Sequence, residues 1–394
     1  MFNKIFDQCE IKPLMSIQKF NKLLCSGLIS NGEVQLEVLT APPINRSMCK
    51  KLIWKSKKEV IGNIRFNYCF MINYPIIKFI SLLFSSIIIS VKWCVKNRGI
   101  MNKIVVYDSF CPIVGNAGAV IGKMFNCAVV ALYTDVPIFM GHNIENRNLF
   151  NNILKKLYIL IDQISNKVCS GYILLTAQMN EVVNKNKKPF IVIEGMVDKN
   201  IKIENTLENK YNEFTILYAG GLYEQYGITN LINAVETVKS EEVRLLLYGG
   251  GELSDIIQMN YKNDKRIHYG GVVPNNEILE QETKATILVN PRFTNEEYTK
   301  YSFPSKIMEY MVSGTPVLTT RLKGIPSEYD DYLYFIAEES SEGVKNAIEN
   351  LMNHPRDQLH KHGMTAREFV LKKKNNVIQA KKVINFIGTL NCKH

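Results

Sequence analysis

Residues 214–221 read Phe-Thr-Ile-Leu-Tyr-Ala-Gly-Gly, a β-branched and aromatic run without charge that stops on two glycines. A strand covered by helices on both faces is apolar along its whole length rather than at every second position. Glycine at its carboxyl end lets backbone approach a ligand closely, and open α/β sheets bind their ligands at that end. The same junction returns at 244–251 (Arg-Leu-Leu-Leu-Tyr-Gly-Gly-Gly) and at 267–271 (Ile-His-Tyr-Gly-Gly). Further runs at 286–290, 316–319 and 332–336 continue the series, and the first half has its own at 34–39, 103–107, 128–133, 172–175 and 190–193. Helix-length segments separate them. Two such series predict two doubly wound α/β domains. The break is placed after Glu194-Gly-Met-Val-Asp198, where the chain turns polar. Expected domains are therefore 1–198 and 199–375, with an amphipathic C-terminal helix (376–394) returning to the first.

The chain has 394 residues with 48 Lys+Arg and 37 Asp+Glu, a net charge of +11. Residues 1–200 hold 25 basic and 12 acidic residues (+13), and residues 201–394 hold 23 and 25 (−2). The excess sits entirely in the first half, which expects a polyanionic partner: nucleic acid or an anionic membrane surface. No helix-turn-helix, zinc-finger or RNP pattern supports nucleic acid. Nine cysteines without a CxxC pair read as buried, reduced thiols of a cytoplasmic protein. The N-terminus lacks the apolar core of a signal peptide. Phe79–Val91 is uncharged but short of a ~20-residue span, and is expected to be a buried helix, with surface docking as the lesser reading. Lys51–Lys58 is the strongest basic cluster.

Chemistry concentrates in residues 298–317, Tyr-Thr-Lys-Tyr-Ser-Phe-Pro-Ser-Lys-Ile-Met-Glu-Tyr-Met-Val-Ser-Gly-Thr-Pro-Val. Pro304 is expected to open a helix, since its missing N–H costs nothing at the first position. The amides of Ser305, Lys306 and Ile307 would then point from a helix start that attracts phosphate, and Lys306 adds a full positive charge. Glu309, three residues on, shares that helical face and offers two acceptor oxygens to the hydroxyls of a ribose. A solvated Lys–Glu pair on an ordinary helix is the competing reading. Arg292 and Lys300 are further cations nearby.

These stretches, together with Gly314-Thr-Pro-Val317, resemble the donor-binding domain of glycosyltransferase family 4, which has the GT-B architecture of two Rossmann-like domains facing a central cleft. Residues 303–311 (Phe-Pro-Ser-Lys-Ile-Met-Glu-Tyr-Met) resemble a capsule- and lipopolysaccharide-type branch. The resemblance implies a retaining transfer of sugar from a nucleotide-sugar donor to a lipid-linked saccharide acceptor at the membrane surface, with no metal cofactor; no Asp-x-Asp occurs in the sequence. It implies donor-binding roles for Gly220, Gly221, Gly250, Gly271, Arg292, Ser305, Lys306 and Glu309, with Lys306 also catalytic. Glu309 matches the second glutamate of the family's E-x7-E pattern; Tyr301 stands where the first would be. Gly221 and Tyr226 stand where the commoner pattern has arginine and lysine. Asp135, after the strand at 128–133, resembles a cleft residue that contacts donor sugar or acceptor, although it could equally cap the next element. His142, alone in its half, reads as solvent-exposed. A dehydrogenase of similar fold would need a G-x-G-x-x-G after a strand; the nearest candidate, 115–122, has the wrong spacing.

Overall fold

The structure is a computed structural model that describes residue 9 and residues 16–136 and 149–391. Their positions group into two compact units, Met1–Glu194 with Asn376–His394, and Gly195–Asn375.

The first unit runs α1 (Ser16–Ser30), β1 (Glu37–Thr40), β2 (Ile53–Trp54), β3 (Lys57–Ile61), β4 (Ile64–Tyr68), β5 (Met71–Ile72), α2 (Pro75–Lys96), β6 (Ile104–Asp108), α3 (Pro112–Met124), β7 (Ala128–Tyr133), α4 (Leu149–Val168), β8 (Gly171–Leu174), α5 (Met179–Val183) and β9 (Phe190–Val192). Strands β6-β7-β8-β9 form a parallel sheet in that order. All of β7 and β8 is buried, as their unbroken apolar runs require. The expected first strand does not join this sheet. β1 pairs in parallel with β4, which turns back on β3 in a separate mixed sheet, and β2 pairs with β5. The hairpin turns on Gly62-Asn63, where Gly62 has φ +57°, a conformation that costs little only without a Cβ. The basic cluster Lys51–Lys58 thus contributes to β2 and β3.

The second unit runs β10 (Phe214–Ala219), α6 (Ile228–Thr237), β11 (Val243–Tyr248), α7 (Ser254–Asn260), β12 (Ile267–Gly271), α8 (Asn275–Lys284), β13 (Ile287–Asn290), α9 (Ser305–Ser313), β14 (Val317–Thr320), β15 (Tyr334–Ile336), α10 (Ser341–Met352) and α11 (Arg356–Lys373). Its six strands are all parallel in the order β12-β11-β10-β13-β14-β15. Order reverses between β10 and β13, and the crevice outside their carboxyl ends is where such sheets bind ligands. The core joins β10, β11 and β13 to the inner faces of α6 and α10 through Ile216, Leu245, Ile287, Leu231 and Ile348. Helix α12 (Asn376–Asn391) follows and packs on α1 within the first unit.

A further expectation fails. α2, read as a buried core helix, fully buries only Leu82, Ser85, Ser86, Ser90 and Cys94, while Ile76, Ile77, Ile80, Phe84, Ile88 and Val95 are exposed. Among the described residues it is the one helix long and apolar enough to cross a membrane. The eight described cysteines are free thiols, five of them buried.

Candidate active site

The site is built where β10 and β13 diverge. β10 ends at Ala219, and its peptide is gripped from α9. The Tyr310 hydroxyl accepts from the Ala219 N–H at 2.9 Å and lies 3.3 Å from its carbonyl, to which Lys306 Nζ also donates. Lys306 sits over the Tyr218 ring, 5.0 Å from its centroid. Burial pushes the Lys306 ammonium down to about 8; the Glu309 carboxylate pulls the other way, and the Arg292 guanidinium adds to the depression. Two cations therefore sense each other here, with one carboxylate a turn deeper on α9. Mutually repelling, partly desolvated cations are stabilised by an anion placed between them.

Helix α9 begins one residue later than expected. Pro304 is the N-cap, with φ −65° and ψ 113°, and Ser305 is the first helical residue. The Pro304 carbonyl already takes the Ile307 N–H at 3.0 Å. Of the three amides expected at the helix tip, those of Ser305 and Lys306 remain. Ser305 is exposed and Glu309 half-buried.

Arg292 follows β13 and lays its guanidinium over the Tyr226 ring, 4.2 Å from the centroid. Tyr226 is the position where the resembling family more often has lysine. A cation from another loop, sixty-six residues later in the chain, is carried there on an aromatic face. Three buried polar atoms in this loop have no hydrogen-bond partner: Arg292 Nε, the Tyr298 hydroxyl and Ser302 Oγ. Burial raises the Tyr298 phenol to about 12, with Arg292 opposing. Buried polar atoms are almost always paired, so this concentration suits a polar ligand. Lys300 is half-buried in the adjoining turn.

The glycines divide into two kinds. Gly249 has φ +124°, and a Cβ there would collide with the Gly220 carbonyl; one on Gly251 would collide with the Leu222 carbonyl. The first two glycine loops are laced together by Gly220 N–H to Tyr248 O (2.8 Å) and Leu222 N–H to Gly250 O (3.0 Å), and the third is joined by Gly249 N–H to Gly271 O (2.8 Å). The glycine triplet thus lets backbone pack on backbone. Gly220, beside the Lys306 ammonium, is the one whose missing side chain gives that ammonium room. Gly221 lies against Tyr223 and Tyr226. Gly250 is exposed, and Gly271 (φ +71°) borders open space.

The structure therefore brings together Gly220, Gly221, Arg292, Lys306 and Glu309 around the end of β10, while Gly250 and Gly271 lie on neighbouring loops. Asp135 belongs to the first unit, half-buried after β7. Pro137 and His142 lie outside the described residues. Tyr218, Tyr298 and Tyr310 were not anticipated from sequence as parts of the site. Tyr310 stands next to Glu309, but a tyrosine on a helix does not announce that its hydroxyl reaches a strand end ninety-one residues back. Among the described residues, no group of three or more His, Cys, Asp or Glu side chains could hold a metal ion.

Residues 213–354 match the family model described as glycosyl transferases group 1. A search of curated protein sequences gives no match. Among solved structures, sucrose-phosphate synthase from Thermosynechococcus elongatus superposes with a TM-score of 0.63 at 14% identity, covering 97% of this chain and 95% of that one. The catalytic domain of starch synthase IV from Arabidopsis thaliana, bound to ADP and acarbose, gives 0.65 at 10% identity, covering 98% and 97%. Anabaena HepE in complex with UDP gives 0.58 at 12% identity, covering 82% and 86%. The fold is that of GT-B enzymes, with two Rossmann-like domains.

Proposed function

We propose that this chain, a glycosyltransferase of GT-B fold, transfers a sugar with retention of configuration from a nucleoside-diphosphate sugar to a lipid-linked or polysaccharide acceptor, in surface polysaccharide assembly at the cytoplasmic face of a bacterial membrane. The observation that carries the reading is the convergence of Lys306, Arg292 and the start of α9 on the end of β10, with Glu309 one turn deeper. Departure of a nucleoside diphosphate builds negative charge on its oxygens. Two cations and two helix-tip amides fixed in a partly desolvated pocket stabilise that charge without reorganising, and such preorganised donors are the largest single contribution in many enzymes. The cations supply this without a metal. Glu309 would hold the ribose hydroxyls, and the complexes of neighbours with UDP and ADP favour those nucleotides as first probes. Asp135 is proposed to meet the donor sugar or the acceptor.

Lys306→Ala is expected to lower kcat by about 10²–10³, the usual cost of one oxyanion-stabilising donor. Glu309→Ala should chiefly raise the KM for the nucleotide sugar, because its contacts are the same in ground and transition states. Steady-state kinetics on both variants tests the assignment. Full activity in both would refute it.

A further inference from the structure

Helix α2 is apolar on two sides. Its inward side sets Leu82, with Phe79, Leu83 and Ile89 partly buried, on the core of the first unit, and serines stitch it to the chain: Ser85 Oγ accepts from the Phe70 N–H at 2.8 Å, and Ser81 Oγ accepts from the Ile72 N–H at 3.1 Å. Ser86 bonds to the Leu82 carbonyl, and Ser90 meets Gly118 of α3. Its outward face is apolar. Ile77, Ile80, Phe84, Ile88 and Val95 recur at helical spacing, and Phe84 is 62% and Ile88 51% exposed. At 100° per residue these five fall in one narrow stripe, with Lys78, Lys92 and Lys96 along one flank; Lys78 donates to the Ile44 carbonyl at 2.6 Å and Lys96 lies 3.8 Å from Glu37, while Lys92 is exposed. Beside it, β5 packs on α2 and pairs with β2, next to which Leu52 and Ile53 are also exposed. A contiguous exposed patch of this kind marks an interaction surface.

Charge identifies the occupant. Residues 46–103, the segment containing α2, hold twelve Lys and Arg and a single acid, Glu59. That balance, +11, equals the net charge of the entire chain. An apolar stripe set among lysines complements the headgroup and acyl boundary of an anionic bilayer. A second copy of the chain would bring the same positive charge to the contact and be repelled. Spanning the bilayer would strip α2 of its serine bonds to the backbone before β5 and at Ile72, and of its packing on α3.

We propose that α2 lies flat in the surface of an anionic membrane, its Ile77–Val95 stripe inserted and the exposed Lys92 and Lys96 beside it facing lipid phosphates. This deepens the membrane placement proposed above and rests on it, while the surface belongs to the first unit and the donor site to the second. The test is flotation of the full chain with vesicles of phosphatidylcholine alone or with one third phosphatidylglycerol, for the wild type and for Phe84→Glu/Ile88→Glu. Both side chains are more than half exposed, so the variant should keep its melting temperature and its stabilisation by UDP.

The wild type should float with the anionic vesicles and be released by carbonate at high pH, and the variant should bind at least tenfold more weakly. Equal binding by the variant, no binding by the wild type, or extraction only by detergent would overturn the proposal. So would a wild-type dimer that the variant dissolves. Loss of flotation with UDP stabilisation intact sinks only the membrane surface; loss of UDP stabilisation in the wild type sinks the donor site instead.

Discussion

Gly249 and Lys306 illustrate what single residues contribute. Gly249 adopts φ +124° with its Cα face against the Gly220 carbonyl. Gly249→Ala combines backbone strain with a backbone collision and should cost about 2–3 kcal/mol or more, read as a lower urea midpoint with unchanged slope. Gly250→Ala, at an exposed position whose nearest neighbour would be Val272 Cγ2 at 3.4 Å, should cost well under 1 kcal/mol by comparison. Adjacent glycines thus separate packing from composition. Lys306 and Lys210 make a different prediction. Burial holds Lys306 down to about 8 and Lys210 to about 7, against 10.5 in the unfolded chain. Between about pH 7 and 9 the unfolded state therefore binds more protons, and stability should rise with pH. Above about 9 the thiols reverse the slope, because burial raises Cys25, Cys69 and Cys94 to about 11 and Cys111 to about 12 from 9.0, so the folded chain then retains protons that the unfolded chain loses. A urea-midpoint series from pH 6 to 10 should peak near pH 9; a steady fall from pH 7 would show that these lysines are not desolvated.

At the scale of elements, close approach decides which helices pair. α1 crosses α12 at Gly27, where a Cβ would meet the Asn376 carbonyl and lie 2.9 Å from Ala380 Cβ. Asn31 adds side-chain bonds to the Gly27 carbonyl at 2.7 Å and the Val377 carbonyl at 3.0 Å. Gly27→Val should force the pair apart at a cost of about 1–3 kcal/mol, and amide exchange should quicken in α12 before it does in the β10–β15 sheet. Uniform quickening in both would mean that the crossing is not local. The start of α9 makes the complementary point: Pro304 stops the preceding turn, and its carbonyl closes the first hydrogen bond of the helix.

At the scale of the whole molecule, positive charge and nucleotide chemistry are divided between the units. A ligand that binds only the folded second unit stabilises by about 2.7 kcal/mol at one hundred times its Kd. A thermal-shift panel of nucleoside diphosphates and their sugars should therefore raise the transition of that unit, with exchange protection concentrated at 218–227 and 292–309. Protection confined to the first unit would contradict the assignment of the donor site.

The strands of both parallel sheets were legible because continuous apolar runs and terminal glycines are local demands, met residue by residue by backbone sterics and helix cover. That Lys306 and Glu309 share one helix was legible for the same reason, since their spacing is fixed by the helical repeat. The mixed sheet was missed although Gly62-Asn63 between two short runs is a hairpin signal. Tertiary structure alone decided that Arg292 rests on Tyr226, that Tyr310 holds the end of β10, and which apolar residues of α2 are left uncovered. Periodicity states that a helix has two faces; which face is covered depends on the segments that pack against it, and for α2 those are the serine-bonded strand edge and α3.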